Sequence, residues 1–331
     1  MDEADWTPGK LLEISGSYWK TCALHAGAQL DVFTLLDGEW LTSAEVAAPL
    51  GGAERSVAMF LNALSAMGLL LHSEGRYGCA PWAGEFLSKR SERYLGYIIL
   101  HHANLMASWA RLHESVISGR PIRESASRRD EEEREHFLMG MFNLAMGIAP
   151  GLVPQIDLAE RKRLLDLGGG PGTYAVHFCL HNPGLSAAVF DLPTTRPFAE
   201  KTIARFALDQ RVTFLPGDYL EDPIPETFDV AWLSQILHGE GPEGCRTILH
   251  KAVTALEPGG IILIHEFILD DTMDAPLHPA LFSLNMLLGT ESGQTYTEAQ
   301  LRGMLEEEGV RDVRRLAFRG PNDSGILAGV V

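Results

Sequence analysis

The stretch Asp166-Leu167-Gly168-Gly169-Gly170-Pro171-Gly172-Thr173 constrains this chain more than any other. It follows the apolar pair Leu164-Leu165, which reads as a buried strand. Glycines let the backbone turn tightly from strand to helix and approach a ligand with no Cβ in the way. Nineteen residues after Gly172, Asp191 closes a second apolar run, Ala188-Val189-Phe190. A carboxylate there can accept hydrogen bonds from both hydroxyls of a ribose. The spacing therefore points to an adenosine-containing ligand.

Gly170-x-Gly172-x-x-Ala175 also fits the dinucleotide fingerprint, so the glycines alone leave a nicotinamide cofactor open. The next strand helps to choose. It ends Pro216-Gly217-Asp218-Tyr219 and places a second acid where an adenine amino group could donate to it. The pattern favours S-adenosylmethionine. Further strands are expected at Val212-Thr213-Phe214, at Asp229-Val230-Ala231-Trp232-Leu233, at Ile261-Ile262-Leu263-Ile264, and in two closing runs over 313–318 and 326–331. Helical stretches separate the earlier ones, so the C-terminal part is an α/β, doubly wound (Rossmann-like) seven-stranded sheet.

At 331 residues the chain is long enough for two domains. Residues 1–105 read as short helices over 18–36, at Ala44-Glu45-Val46-Ala47-Ala48 behind Thr42-Ser43, and over 54–67. A small hairpin about Glu74-Gly75 follows, and the order is that of a winged helix. DNA binding is disfavoured, because residues 1–105 hold 7 Lys/Arg against 12 Asp/Glu and the would-be recognition helix offers only Arg55. The whole chain carries 27 Lys/Arg and 44 Asp/Glu, a formal charge of −17, so neither nucleic acid nor an anionic membrane is an expected partner. No run approaches the roughly 18 apolar residues of a membrane span. The acidic start Met1-Asp2-Glu3 lacks the basic region of a secretory signal, and a cytoplasmic location is expected. Cys22, Cys79, Cys179 and Cys245 are scattered and suggest neither disulfides nor a metal site. Residues 94–118 and 137–153 read as apolar helices, joined by a charged stretch that includes Arg128-Arg129 and Asp130-Glu131-Glu132-Glu133.

Taken with Phe142-Asn143-Leu144-Ala145-Met146, FDLP at 190–193, GDY at 217–219, LSQILH at 233–238 and LEPGGIILIHEFIL at 256–269, the chain resembles the class I small-molecule O-methyltransferases of the caffeate and acetylserotonin type, bacterial branch. The resemblance runs over nearly the whole length. It implies an N-terminal winged-helix dimerisation domain over 1–105 and a methyltransferase domain over 106–331, with a helical substrate-pocket segment over 106–160. It also implies a homodimer. By the same resemblance Gly168, Gly170, Gly172, Asp191, Leu192, Asp218, Tyr219 and Ser234 line the site for S-adenosylmethionine, and S-adenosylhomocysteine is the product.

Methyl transfer from a sulfonium to a hydroxyl gains from alignment and from a base that removes the proton. His238 follows the strand at 229–233, and the resemblance makes it the general base, with Glu266 as the carboxylate that orients its ring. The flanks depart from the family: His238-Gly239-Glu240 stands where Asp-Trp usually follows, Thr295-Tyr296-Thr297 where a glutamate precedes Arg-Thr, and Thr290 where an asparagine is usual. His265 should point to the other side of its strand and be structural. The acceptor, a small and aromatic hydroxyl compound, is expected against Met106, Trp109, Phe142, Met146, Asn285 and Met286, with Met139 and Phe282 nearby. The readings left beside this one are C- or N-methylation, atypical hydroxylation or decarboxylation with the same cofactor, an NAD-dependent oxidoreductase, and a winged-helix regulator.

Overall fold

The computed structural model describes residues 6–124 and 130–331. The pair Arg128-Arg129 and the acidic start at 1–5 lie outside the described residues. The chain divides into two compact units, Met1–Met106 and Ala107–Val331.

The first unit holds α1 (Pro8–Gly16), α2 (Tyr18–Gln29), α3 (Val32–Leu35), β1 (Leu41–Thr42), α4 (Ser43–Leu50), α5 (Glu54–Ala66), β2 (Leu70–Ser73), β3 (Arg76–Cys79) and α6 (Pro81–Leu87), and α7 (Gly96–Trp109) runs out of it. The helix expected over 18–36 is broken: Asp31 takes a left-handed conformation (φ 54°) between α2 and α3. Thr42 and Glu45 cap α4 reciprocally, each side chain accepting the other's backbone N–H. Val57, Leu61 and Leu64 of α5 are buried against Val32, Phe33, Leu36 and Val46. The hairpin β2–β3 gains β1 as a third strand, in the order β1-β3-β2. Helices with a small three-stranded wing are the winged-helix arrangement.

In the second unit the helix expected over 94–118 ends at Trp109 and resumes as α8 (Leu112–Ser118). Then come α9 (Glu131–Leu152), β4 (Arg163–Leu167), α10 (Thr173–His181), β5 (Ser186–Asp191), α11 (Arg196–Arg205), β6 (Val212–Pro216), β7 (Phe228–Ser234), α12 (Pro242–Thr254), β8 (Leu256–Leu269), α13 (Leu277–Gly289), β9 (Tyr296–Thr297), α14 (Glu298–Glu307), β10 (Arg311–Arg319) and β11 (Ser324–Val330). The seven main strands lie in the order β10-β11-β8-β7-β4-β5-β6, and the short β9 pairs with the end of β8. The strands β6, β5, β4, β7 and β8 are parallel neighbours, while β11 and β10 close the edge antiparallel.

Alternation along each strand divides the core. Leu165, Leu167, Ala231 and Leu233 pack with Ile248 and Leu249 of α12 and Leu301 of α14. Leu164, Val230 and Trp232 pack on the other face with Ala149 and Leu152 of α9, Phe178 of α10 and Ile203 of α11. β8 follows the same rule, so Glu266 shares a face with Ile262 and Ile264 while His265 goes with Leu263.

One expectation is corrected here. The helical stretch Glu131–Gln155 is long and apolar enough, by length and composition, to cross a membrane. Its apolar stretch 137–154 is interrupted by Asn143 and carries several Gly and Pro residues, so no unbroken apolar run reaches that length while the average hydropathy does. Its Leu138, Met139, Phe142, Ala145, Ala149 and Leu152 are buried in the protein, as suits a core helix.

Candidate functional site

The chain order reverses direction between β4 and β7, and this switch point is where a doubly wound sheet leaves a crevice beyond its strand ends. The glycine loop lies there. Gly168, Gly170 and Gly172 have φ of 64°, 54° and 72°, a region that disfavours side chains. At Gly168 a Cβ would also fall 2.7 Å from Ile236. Leu138 of α9 comes up to the position a Cβ on Gly170 would take.

Three carboxylates surround this loop. Asp166 is fully buried, and its Oδ2 accepts the Ala175 N–H (3.1 Å) at the start of α10. Burial pushes its pKa up to about 7, and its Oδ1 has no hydrogen-bond partner among the described residues. Asp191 ends β5. It accepts from the Gly170 N–H (2.8 Å), the Leu192 N–H (2.7 Å) and the Thr195 hydroxyl (2.8 Å), and burial outweighs those bonds to raise its pKa. Asp218 follows β6 and accepts the Leu220 N–H at 2.9 Å, beside half-buried Tyr219. Asp191 and Asp218 feel each other's charge. The structure thus brings Gly168, Gly170, Gly172, Asp191, Leu192 and Asp218 to the carboxyl ends of β4, β5 and β6.

The end of β7 adds a residue that sequence reasoning missed. Gln235 is left-handed (φ 59°), and its buried Oε1 has no hydrogen-bond partner among the described residues. An unsatisfied buried amide oxygen and a strained backbone beside a crevice are signs of a ligand that donates there. Nothing in the sequence pattern marked it. Its neighbour Ser234 is turned the other way. The Ser234 hydroxyl meets His265 Nδ1 (2.9 Å), and His265 Nε2 meets the Ser324 hydroxyl (3.1 Å). His265 is buried and flanked by Trp232, Tyr174 and Phe318, and its pKa is lowered to about 4 by burial.

His238 sits in the single helical turn Leu237–Gly239 just after β7. Its Nδ1 lies 2.7 Å from Glu266 Oε2, with side chains 12% and 3% exposed. The other Glu266 oxygen accepts the Leu237 N–H at 2.8 Å. A carboxylate can only accept, so Nδ1 carries the proton and Nε2 keeps the lone pair of a base. Phe282 of α13 meets the imidazole edge-on at 4.8 Å, and Phe267 lies parallel to it at 6.2 Å. One turn further along α13, Asn285 accepts from the Trp109 indole N–H (3.3 Å) and from Arg123 (2.8 Å), and Met286 is buried. Arg123 also reaches the Asn285 carbonyl at 2.7 Å and was not foreseen. Phe142 packs under Arg205 of α11, and the Met146 sulfur lies 3.3 Å from His177 Nε2 on α10. These two face α10 and α11, whereas Trp109 of α7 meets Asn285 of α13, next to Met286. Met106 belongs to the portion of α7 in the first unit.

The departures at 290 and 295 are filled by backbone contacts. The Thr295 hydroxyl bonds the Pro279 carbonyl (2.8 Å) and the Ser283 hydroxyl, and Thr290 closes the end of α13 on the Met286 carbonyl (2.9 Å).

Comparisons with known proteins agree with this arrangement. An O-methyltransferase domain model matches residues 108–311, and an O-methyltransferase dimerisation domain model matches residues 12–89. The chain is 32% identical to 3-hydroxy-5-methyl-1-naphthoate 3-O-methyltransferase of Streptomyces sahachiroi, over 98% of this chain and 95% of that one. It is 33% identical to the tetracenomycin polyketide synthesis 8-O-methyl transferase TcmO of Streptomyces glaucescens, over 96% of each. The solved structure of an O-methyltransferase family protein from Burkholderia thailandensis superposes with a TM-score of 0.88 at 28% identity, covering 98% of each chain. The fold and these matches define a group-transfer enzyme of the methyltransferase type. The chain belongs to the S-adenosylmethionine-dependent O-methyltransferase family.

Proposed function

We propose that the protein methylates a hydroxyl of a small aromatic acceptor, with His238 as general base and Glu266 as the residue that orients it. The observation that carries this reading is the 2.7 Å contact between His238 Nδ1 and the buried Glu266 carboxylate, which engages Nδ1 and leaves Nε2 outside the pair. When bound, S-adenosylmethionine supplies an electrophilic methyl group on a sulfonium. With that methyl group bound, the acceptor oxygen would displace the sulfur, the carbon–sulfur electron pair leaving with S-adenosylhomocysteine; His238 Nε2 would take the hydroxyl proton and Glu266 would stabilise the imidazolium so formed.

For the cofactor, the backbone of Gly168, Gly170 and Gly172 gives close approach, Asp191 with Leu192 suits the ribose, and Asp218 with Tyr219 suits the adenine. Gln235 Oε1 offers an acceptor to the amino-acid end, and Ser234 acts by backbone, its hydroxyl being held by His265. The unpartnered Gln235 and Asp166 oxygens fit a donor-rich ligand in this crevice. For the acceptor, Trp109, Asn285 and Met286 supply an apolar wall with one polar group. Phe142 and Met146 of α9 are the further residues proposed for the acceptor, from the other side of the crevice. An aromatic acceptor is supported by the rings of Phe267 and Phe282 at the base, and by a relative whose name specifies a naphthoate.

The proposal includes a homodimer formed through a domain ending near residue 105. It is supported by the dimerisation-domain match and by exposed Leu11, Leu12, Ile14 and Trp19 on α1 and α2. It places the enzyme in the cytoplasm, which four free cysteines suit, with neither nucleic acid nor membrane as partner for a chain of charge −17.

Titration calorimetry with S-adenosylhomocysteine, with NADH as control, tests the cofactor site. Methylation of a panel of hydroxynaphthoates and naphthols then tests the acceptor class. Preference for NADH would overturn the site assignment, and methylation only of non-aromatic alcohols would overturn the acceptor.

A further inference from the structure

The turn that carries His238 is gripped by groups outside the histidine–glutamate pair. The Tyr296 hydroxyl donates to the Glu240 carbonyl at 2.6 Å, from a side chain only 2% exposed. The Cys245 thiol donates to the Leu237 carbonyl at 3.1 Å. Gly293 passes so close that a Cβ there would lie 2.6 Å from the His238 carbonyl and 2.7 Å from that of Gly239. The turn is thus tied on one side to Glu266 and on the other to β9 and the loop before it. Both odd sequences meet here, for Glu240 belongs to the His-Gly-Glu departure and Tyr296 to the Thr-Tyr-Thr departure.

We propose that Tyr296 is a positioning residue for His238: its hydroxyl, with the Cys245 thiol behind it, fixes the 237–240 turn so that Nδ1 stays on Glu266. The inference rests on the reading of His238 and Glu266 as a working pair. A tyrosine can do this because burial raises its pKa further above the ordinary phenol value, so the donor keeps its proton at any working pH. Its ring is locked in the core with Leu301 and Ile268, so little entropy is lost in holding the bond. Nearby Thr295 is occupied by Pro279 and Ser283, so the anchoring of the turn falls to Tyr296.

The test is a proton and nitrogen NMR measurement on the full-length protein with labelled histidine, following the His238 Nδ1–H resonance, assigned by its loss in His238→Ala. The parent should show it protected from exchange with water. Tyr296→Phe keeps the ring and removes only the donor, and should speed that exchange about tenfold while circular dichroism and melting temperature stay near the parent. Cys245→Ala should act in the same direction and more weakly. A protected resonance unchanged in both variants would overturn the role of Tyr296 while leaving the pair intact. No protected resonance in the parent would overturn the pair itself, and with it this inference. If Tyr296→Phe fails to fold, Cys245→Ala alone decides: unchanged protection rejects the anchored turn.

Discussion

Two histidines belong to the neighbouring strands β7 and β8, His238 in the turn just after β7 and His265 within β8, and their surroundings are opposite in kind. His265 points into the face shared with Trp232 and Phe318, and each nitrogen meets a serine hydroxyl. Burial holds its pKa down at about 4, so it is neutral wherever the protein works. His238 is held on one nitrogen only, by a carboxylate, and 12% of its side chain reaches the surface. The same side chain is a fastening in the first environment and the proposed base in the second. What decides is whether a partner can stabilise the charged form and whether a nitrogen is left over for a ligand.

The contrast can be broken most forcefully at His238. Replacing it with alanine should cut methyl transfer by roughly 10²- to 10⁴-fold while S-adenosylhomocysteine affinity persists, the usual range for a positioned base. Steady-state rates with an accepted hydroxyarene and calorimetry on the same variant would check both halves. Unchanged turnover would leave alignment alone as the catalytic device.

At His265 the expected effect is on stability. Its folded pKa of about 4 lies below the ordinary 6.5, so the unfolded chain takes up a proton that the folded one refuses. The contribution is neutral above pH 6.5 and turns against folding as pH drops from 6.5 towards 4, reaching about 3 kcal/mol. Asp166 works in the other direction over part of that range, because its raised pKa favours the folded form as pH falls from 7. The informative quantity is therefore the difference between parent and His265→Gln in denaturant melts at pH 7.5 and pH 4.5. The parent should lose more stability on acidification; an equal loss in both would mean that His265 is not held neutral by the fold.

Glu266→Gln sharpens the comparison from the partner's side. An amide can still accept from Nδ1–H but cannot stabilise the imidazolium, and a slowing of about tenfold in single-turnover rate is expected, smaller than for His238→Ala. The mildest effect is expected in the cofactor crevice. Asp191→Ala should weaken S-adenosylhomocysteine binding by roughly tenfold, the scale of a lost charge-assisted hydrogen bond. Equal affinity by calorimetry would remove Asp191 from the ribose.

The glycine loop, Asp191, Asp218 and the alternating strands were legible along the chain because each is a local rule: a backbone conformation, a strand end, a period of two. The family resemblance added His238 and Glu266, which lie 28 residues apart and meet only because β7 and β8 are neighbours. Opposite faces for His265 and Glu266 followed from the pleat alone. The break in the helix at 18–36 was hidden, since one left-handed residue, Asp31, makes it with no glycine or proline beside it. Likewise β8 runs for 14 residues where the apolar run suggested four, because its flanks are stabilised by pairing with β11 and β9.

By itself, then, the sequence determined the class of fold and the kind of cofactor, since those depend on which residue types stand at fixed distances along the chain, and its family resemblance named the residue proposed as the base. The tertiary structure alone decided that Ser234 serves His265, that Gln235 keeps an unpartnered oxygen, that Arg123 fastens Asn285, and that Tyr296 grips the turn of His238. Each of these is a contact between segments that no periodicity relates. A hydrogen bond is directional to within a few tenths of an ångström, and only the packed core sets two distant segments that accurately against each other.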